Sequence, residues 1–320
     1  MTYSSGGLIQ ATDYNGFAST TANANVNDLW ATGATDKGWG ETALSTVSAA
    51  GVVTATNWAS LVNTISSMGS QTGTSITARS APVTGNLIQI LAALNTDLTN
   101  ITTNRANAVA VGTQYTAYTG TNSKTAATSG ATWSITFVNT VTFASANAAR
   151  FFFNGGGLIK IDVSKTATGA LGDPEWNDLA NTLCGDIFIS GIAAAHTIAG
   201  VSRTGVTKTG GTGTPTTLAT TLGFYNLTTS DQVIYKQFAD TAPYTSNFIQ
   251  HSAKTAGSGT QVVITTLWSA SDGDPISGGT ASSGATPGTA PTTICTYFPP
   301  SSTYLTTASW GTPSVAATTT

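Results

Sequence analysis

His196 and His251 are the two histidines of the sequence, and histidine is the side chain best suited to moving protons near neutral pH. His196 lies in the apolar stretch 192–198 behind three alanines, which points to a core or turn position rather than a general base. His251 follows Gln250 on an expected strand and has no carboxylate close to it in the sequence. A Ser–His–Asp triad can assemble from residues distant in sequence, but no glycine-flanked serine marks a nucleophile at a strand-to-helix turn. Gly210-Gly211-Thr212-Gly213 is like a fragment of a phosphate loop, yet its lysine, Lys208, precedes the glycines and no strand-to-helix context follows; a flexible loop is expected. Asp272-Gly273-Asp274 offers two carboxylates to calcium, but residues 276–283 hold no acid to complete the shell, so a solvated turn is expected. Asp173, Glu175 and Asp178 cluster where acids favour the positive end of a helix. Asn100-Ile101-Thr102 and Asn226-Leu227-Thr228 match glycosylation sequons, which arise by chance in an Asn/Thr-rich chain. Cys184 and Cys295 sit beside Leu183 and Ile294 and are expected to be free, buried thiols. No catalytic residue, cofactor-binding residue or metal ligand emerges, and the expectation is that the chain is not an enzyme and uses no cofactor.

Composition explains the scarcity. Only 8% of the 320 residues are charged, against roughly 25% in typical soluble domains. Residues 42–78 carry no charge, and none follows Asp274. Thr, Ser, Ala, Asn and Gly replace the charges, so hydroxyls and amides must wet the surface, and Thr favours strands. Hydrophobic residues make up 40%, enough for a substantial core. A net charge of -3 argues against nucleic-acid binding, which needs clustered Lys and Arg. No apolar run approaches the roughly 20 residues of a membrane span, and a secretory layout is not expected at the N-terminus.

The positioning elements divide the chain in two. Residues 1–115 read as a helical attachment or oligomerisation region. Thr12 or Asp13 caps a first helical stretch with Tyr14, Phe17, Val26, Leu29 and Trp30 inward and Gly33 as its stop. A second begins near Thr56, carries Trp58, Leu61, Val62, Ile65 and Met68 on one stripe, and ends at Gly69. In the third, Leu87, Leu91, Leu94, Leu98 and Ile101 are spaced 4, 3, 4, 3, a heptad seam that either packs on the first two helices or self-associates. Residues 116–320 read as a β-rich projecting domain. Trp133, Ile135, Phe137, Val141 and Phe143 alternate with polar residues as in a half-buried strand. Phe151-Phe152-Phe153, the following glycines and Leu158 to Val163 read as a hairpin-like unit, strand, turn and strand. One helix is expected from Asp173 and Pro174 to Gly185, with Trp176, Leu179, Ala180 and Leu183 on its apolar face. Further strands are expected at Ile187–Ile189, Val233–Phe238, Phe248–Ser252, Val262–Trp268 and Ile294–Phe298, with a short one at Tyr304–Thr306. Residues 272–293 read as a long exposed loop. The fold class is therefore mainly β with a small N-terminal helical region: a β-sandwich or jelly-roll-like domain carrying one short helix.

Several segments carry a resemblance. Gly7-Leu8-Ile9-Gln10-Ala11-Thr12-Asp13-Tyr14-Asn15, Leu29-Trp30-Ala31-Thr32-Gly33 with Gly38-Trp39-Gly40, and the run from Val52 to Leu61 resemble tailed-bacteriophage virion structural proteins. Ala148-Ala149-Arg150-Phe151-Phe152-Phe153-Asn154-Gly155-Gly156-Gly157 and the ending Pro299 to Leu305 with Trp310-Gly311-Thr312-Pro313 are similar too. The group is described as tail-fibre-like and occurs in phages of aquatic bacteria. The resemblance implies a virion component on the exterior of the particle, with other virion proteins as partners and no catalytic residues. It leaves tail fibre, neck appendage, baseplate periphery and capsid decoration open. Arg150 is expected to be structural, pairing with a carboxylate or capping carbonyls. A homo-oligomer follows, with a trimer favoured and the Leu87–Ile101 seam as its candidate interface. The alternative is an adhesin for host cell-surface polysaccharide using Tyr297, Tyr304 and Trp310. A polysaccharide-degrading spike would need paired carboxylates.

Overall fold

The computed structural model describes residues 10–19, 25–85, 93–122, 132–166, 173–271 and 291–320. Four helices come first: α1 (Ala11–Ala18), α2 (Val26–Trp30), α3 (Ala55–Thr72) and α4 (Leu94–Thr103). The cap of α1 is Gln10, whose backbone N–H donates to the Asp13 carboxylate while its side chain accepts from the backbone there. In α3 the Thr54 hydroxyl accepts from the Asn57 N–H, and the Asn57 side chain returns a bond to Thr54. This capping box satisfies two donors that a helix start otherwise leaves unpaired. The helix runs past Gly69, expected as its stop, to Gly73, whose φ of +67° closes it in the left-handed conformation. Ile76 and Thr74 fold back so closely over Gly69 that a Cβ there would lie 3.1 Å from each. Trp58, Leu61, Val62, Ile65 and Met68 are buried as one stripe, and Tyr14 and Phe17 pack edge-on against Trp58.

Thirteen antiparallel strands among the described residues build two large sheets and a small hairpin. The first sheet has the order β1 (Tyr115–Thr121), β12 (Thr292–Phe298), β3 (Leu158–Ser164), β4 (Asp186–Ile189) and β7 (Val206–Thr209). The second runs β13 (Ser314–Thr319), β2 (Trp133–Thr142), β11 (Gln261–Ala270), β10 (Phe248–Ala256), β9 (Gln232–Phe238) and β8 (Thr217–Leu218). The hairpin joins β5 (His196–Ile198) to β6 (Val201–Arg203). Ile159, Ile161, Val163 and Ile187 from the first sheet merge with Ile135, Phe137, Val141, Ile264 and Trp268 from the second in one buried cluster. This is a β-sandwich-like arrangement, and the period-two burial of β2 and β11 follows from it.

Three local expectations are corrected. Phe151-Phe152-Phe153 is not a strand but lies in a helix, α5 (Ala146–Asn154). The Ser145 hydroxyl accepts from the Ala148 N–H and starts it, and an alanine-rich first turn has high helix propensity. The β region therefore carries α5 as well as the expected helix. That second helix begins as α6 (Asp173–Asp178) and continues as a π-helical turn over Leu179–Cys184 before Gly185. Tyr304–Thr306 forms no strand; Thr306 donates its N–H to Glu41 at 2.6 Å instead. The loop expected at 272–293 falls largely outside the described residues.

No gap in packing separates the helical region from the sandwich. Trp39, Trp58, Leu98 and Ile101 belong to the same cluster as the sandwich core, and α5 is the wedge between them. Phe152 packs on Phe143 at 5.1 Å, and Phe153 stacks on Phe224 at 4.4 Å. Phe151 presses on the backbone of Gly40, where φ is +79° and any Cβ would fall 2.4 Å from the ring.

Candidate functional site

Several of the described charged groups hold backbone or pair with one another. Arg150, at the start of the aromatic run, donates from Nε to the Thr35 carbonyl at 3.0 Å and from Nη2 to the carbonyls of Thr32 at 3.2 Å and Lys37 at 3.0 Å. It thus caps the turn between α2 and Trp39. Glu41 accepts from Thr306 and Ser309 near the other end of the chain. Arg79, after α3, and Asp97, in α4, form a 2.6 Å ion pair whose side chains are only 6% and 5% exposed. Lys208 turns its ammonium onto the carbonyls of Gly211 and Gly213 at 3.0 and 2.6 Å. The glycine loop therefore engages the lysine itself instead of presenting it to a phosphate.

The histidines are both inside. His251 is fully buried, stacks on Tyr235 at 5.4 Å and bonds Thr266 Oγ1 through Nδ1 at 2.9 Å. Burial pushes its pKa down to about 3, because an imidazolium would lose its hydration. His196 is buried on β5 with Nδ1 donating to the Ala194 carbonyl at 2.8 Å. Burial lowers its pKa too, against the opposing effect of that bond. Cys184 and Cys295 are free and buried, and burial pushes each thiol up to about 12.

Two arrangements were not visible in the sequence. The first is a cross-strand carboxylate pair. The β3–β4 register sets Ile161 opposite Ile187, which brings Asp162 against Asp186, with Lys160 Nζ 3.8 and 3.2 Å from the two carboxylates. Burial raises the Asp162 pKa first and the Asp186 charge raises it further, while Lys160 lowers it. Such a pair can hold a proton, but about a third of each carboxylate is exposed, and the cavities beside Arg79 and His196 do not include it. The second is a cleft of about 360 Å³ between the end of α4 and the β5–β6 hairpin, lined by Asn104, Arg105, Asn107, His196, Thr197 and Ser202. Arg105 is paired with Asp36 there, so the lining offers amides, hydroxyls and an imidazole around a balanced charge. Both depend on register and loop packing, which local sequence does not encode.

The heptad seam divides. Leu94, Leu98 and Ile101 are fully buried in the core of the single chain, whereas Leu87 and Leu91 lie outside the described residues. Of the tail aromatics, Tyr297 and Trp310 are 3% and 2% exposed, so neither can stack on a sugar; Tyr304 is 38% exposed. Asp272 and Asp274 lie outside the described residues. Among the described residues no group of three or more His, Cys, Asp or Glu could hold a metal ion, and no helix is long and apolar enough to cross a membrane. Compared with known proteins, the chain matches no family model, no curated protein and no solved structure.

Proposed function

We propose that the protein is a non-enzymatic structural component of a tailed-phage virion, carried on the exterior of the particle as part of a tail or neck fibre or a similar appendage. The observation that carries the reading is the use of charge. Arg150, Glu41 and Lys208 bind backbone groups, Arg79 and Asp97 are buried against each other, and both histidines are buried. A chain built this way is organised for rigidity and for contact through hydroxyls and amides. The segments that resemble phage structural proteins support the assignment to a virion. Its partners are other virion proteins and further copies of itself. Three copies were the expectation from the heptad seam; Leu94, Leu98 and Ile101 are buried within one chain, which favours another surface for the proposed self-association.

Imaging of intact particles tests the reading. Density fitting the sandwich at an external appendage is the expected result. Its absence from purified particles, or turnover of a host polysaccharide abolished by Asp162→Asn, would overturn it. A second reading, adhesion to host polysaccharide, is favoured by the uncharged polar lining of the cleft at Asn104, Asn107, Thr197 and Ser202. Binding on a glycan array, lost on filling the cleft with Ser202→Trp, would establish it.

A further inference from the structure

Among the described residues four strands form the edges of the two sheets, and three of them carry features that block pairing with another chain. β1 is interrupted by a register shift between Thr116 and Tyr118. β7 is four residues long and carries Lys208. β8 is two residues long. Bulges, shortness and charge are the usual protections of an exposed edge. β13 has none of them. It is six residues, Ser314-Val315-Ala316-Ala317-Thr318-Thr319, without charge or proline, and it pairs with β2 in an unbroken register.

The hydrogen-bond phase shows which groups are open. Thr320 and Thr136 exchange both backbone bonds, at 2.7 and 2.9 Å. Residues that exchange both bonds alternate along an antiparallel ladder, so Thr318, Ala316 and Ser314 also turn their backbone groups to β2. Val315, Ala317 and Thr319 turn theirs away from β2, to the side on which no strand among the described residues pairs with β13. Their side chains lie on the half-buried face, while those of Ser314, Ala316 and Thr318 are exposed.

We infer that β13 is a self-association edge: it pairs antiparallel with β13 of a second copy, about a two-fold axis at Ala317, and joins two six-stranded sheets into one. This rests on the proposed self-association and names its surface. A second copy is the occupant because the edge is self-complementary. Ala317 meets Ala317 of the second copy, and Val315 meets Thr319, two β-branched residues suited to a pleated surface. Each facing pair exchanges two backbone bonds. With no charged side chain after Asp274, pairing the strand with itself meets no like-charge repulsion.

The test uses full-length protein and two variants. Ala317→Pro removes an outward N–H without touching a bond to β2, and proline is tolerated on a strand edge in that phase. Ala316→Lys with Thr318→Lys keeps every backbone bond but sets like charges opposite each other across the two-fold. Light scattering of the wild type at micromolar concentration should give twice the chain mass, and each variant should halve it. Melting temperature should hold in the lysine variant, which covers the case in which proline frays the strand. Amide exchange at Val315, Ala317 and Thr319 should slow as wild-type concentration rises. A monomeric wild type, an unchanged mass in both variants, or concentration-independent exchange at these amides would each overturn the inference. Placement on the particle is read separately by imaging, so failure here and failure there are distinguishable.

Discussion

The indole nitrogen of Trp39 donates to the backbone carbonyl of Asn154 at 3.0 Å, joining the helical region to the end of α5. Beside it, the Asn154 amide donates to the carbonyls of Lys37 and Gly38 at 3.0 and 2.9 Å, and Arg150 holds the same turn from one helical turn earlier. These bonds make residues 31–41 and α5 one unit. Arg150→Lys should lower stability by about 1.5–3 kcal/mol, because an ammonium cannot span three carbonyls as a planar guanidinium does. Chemical denaturation should show one transition for wild type and variant alike. Separate transitions for helices and sheets would contradict the shared core.

Ile135 and Phe137 are fully buried on β2, whereas Thr136 between them is only half-buried and faces the other way. Phe137→Ala should cost about 3–5 kcal/mol. Ile135→Asp should prevent folding, since a buried carboxylate has no partner there. Thr136→Asp should be mild. Circular dichroism and melting of the three proteins provide the measure, and equal tolerance would refute the assignment of faces.

Acid should weaken the protein through His251. Its pKa in the fold is about 3, below the roughly 6.5 of an unfolded histidine. The unfolded chain therefore binds a proton more readily between these values, so stability is fully present above about pH 6.5 and falls as pH drops towards 3. Asp162 and Glu175, whose pKa values are raised, act with the opposite sign, so the contribution is isolated by difference. His251→Asn should flatten the fall in melting temperature between pH 7 and pH 4. An identical slope in both proteins would count against it.

The thiols of Cys184 and Cys295 should be inert. Both are free and buried, and both are held far above neutral pKa, so the reactive thiolate is scarce. A thiol reagent should label neither in the native state and both in denaturant, and reductant should leave melting unchanged. Rapid native labelling would show that the core opens there.

What was legible in the sequence was what one face of an element imposes on its own residues. The alternation of Trp133 to Val141 and the stripe from Trp58 to Met68 each reflect burial on one side only. Phe151 to Phe153 gave no such signal because α5 is enclosed by the helical region and the sandwich together, and three successive positions are all buried. β13 was hidden for the opposite reason: at an edge small residues suffice, so its sequence shows no apolar–polar period. The Asp162–Asp186 pair and the cleft at His196 depend on register between strands far apart in the chain. Arg150 was legible in part, since a charge set against an aromatic run needs acceptors, although the carbonyls of Thr32, Thr35 and Lys37 could not be named.

Leu98 decides the meaning of the heptad seam. It is 1% exposed and packs, with Leu94 and Ile101, into the core shared with α3 and the sandwich. α4 has ten residues, and isolated helices shorter than about 12–15 residues are marginal in water, so its stability must come from that packing. Leu98→Ala should therefore cost about 2–5 kcal/mol through the cavity it leaves, while the mass of the assembly stays that of wild type. Leu98→Asp should prevent folding instead of releasing folded monomers. Light scattering and thermal melting on the same samples separate the two roles. A Leu98→Ala protein that dissociates with its melting temperature intact would show that the seam binds another copy, and the interface would then have to be moved from β13 to α4.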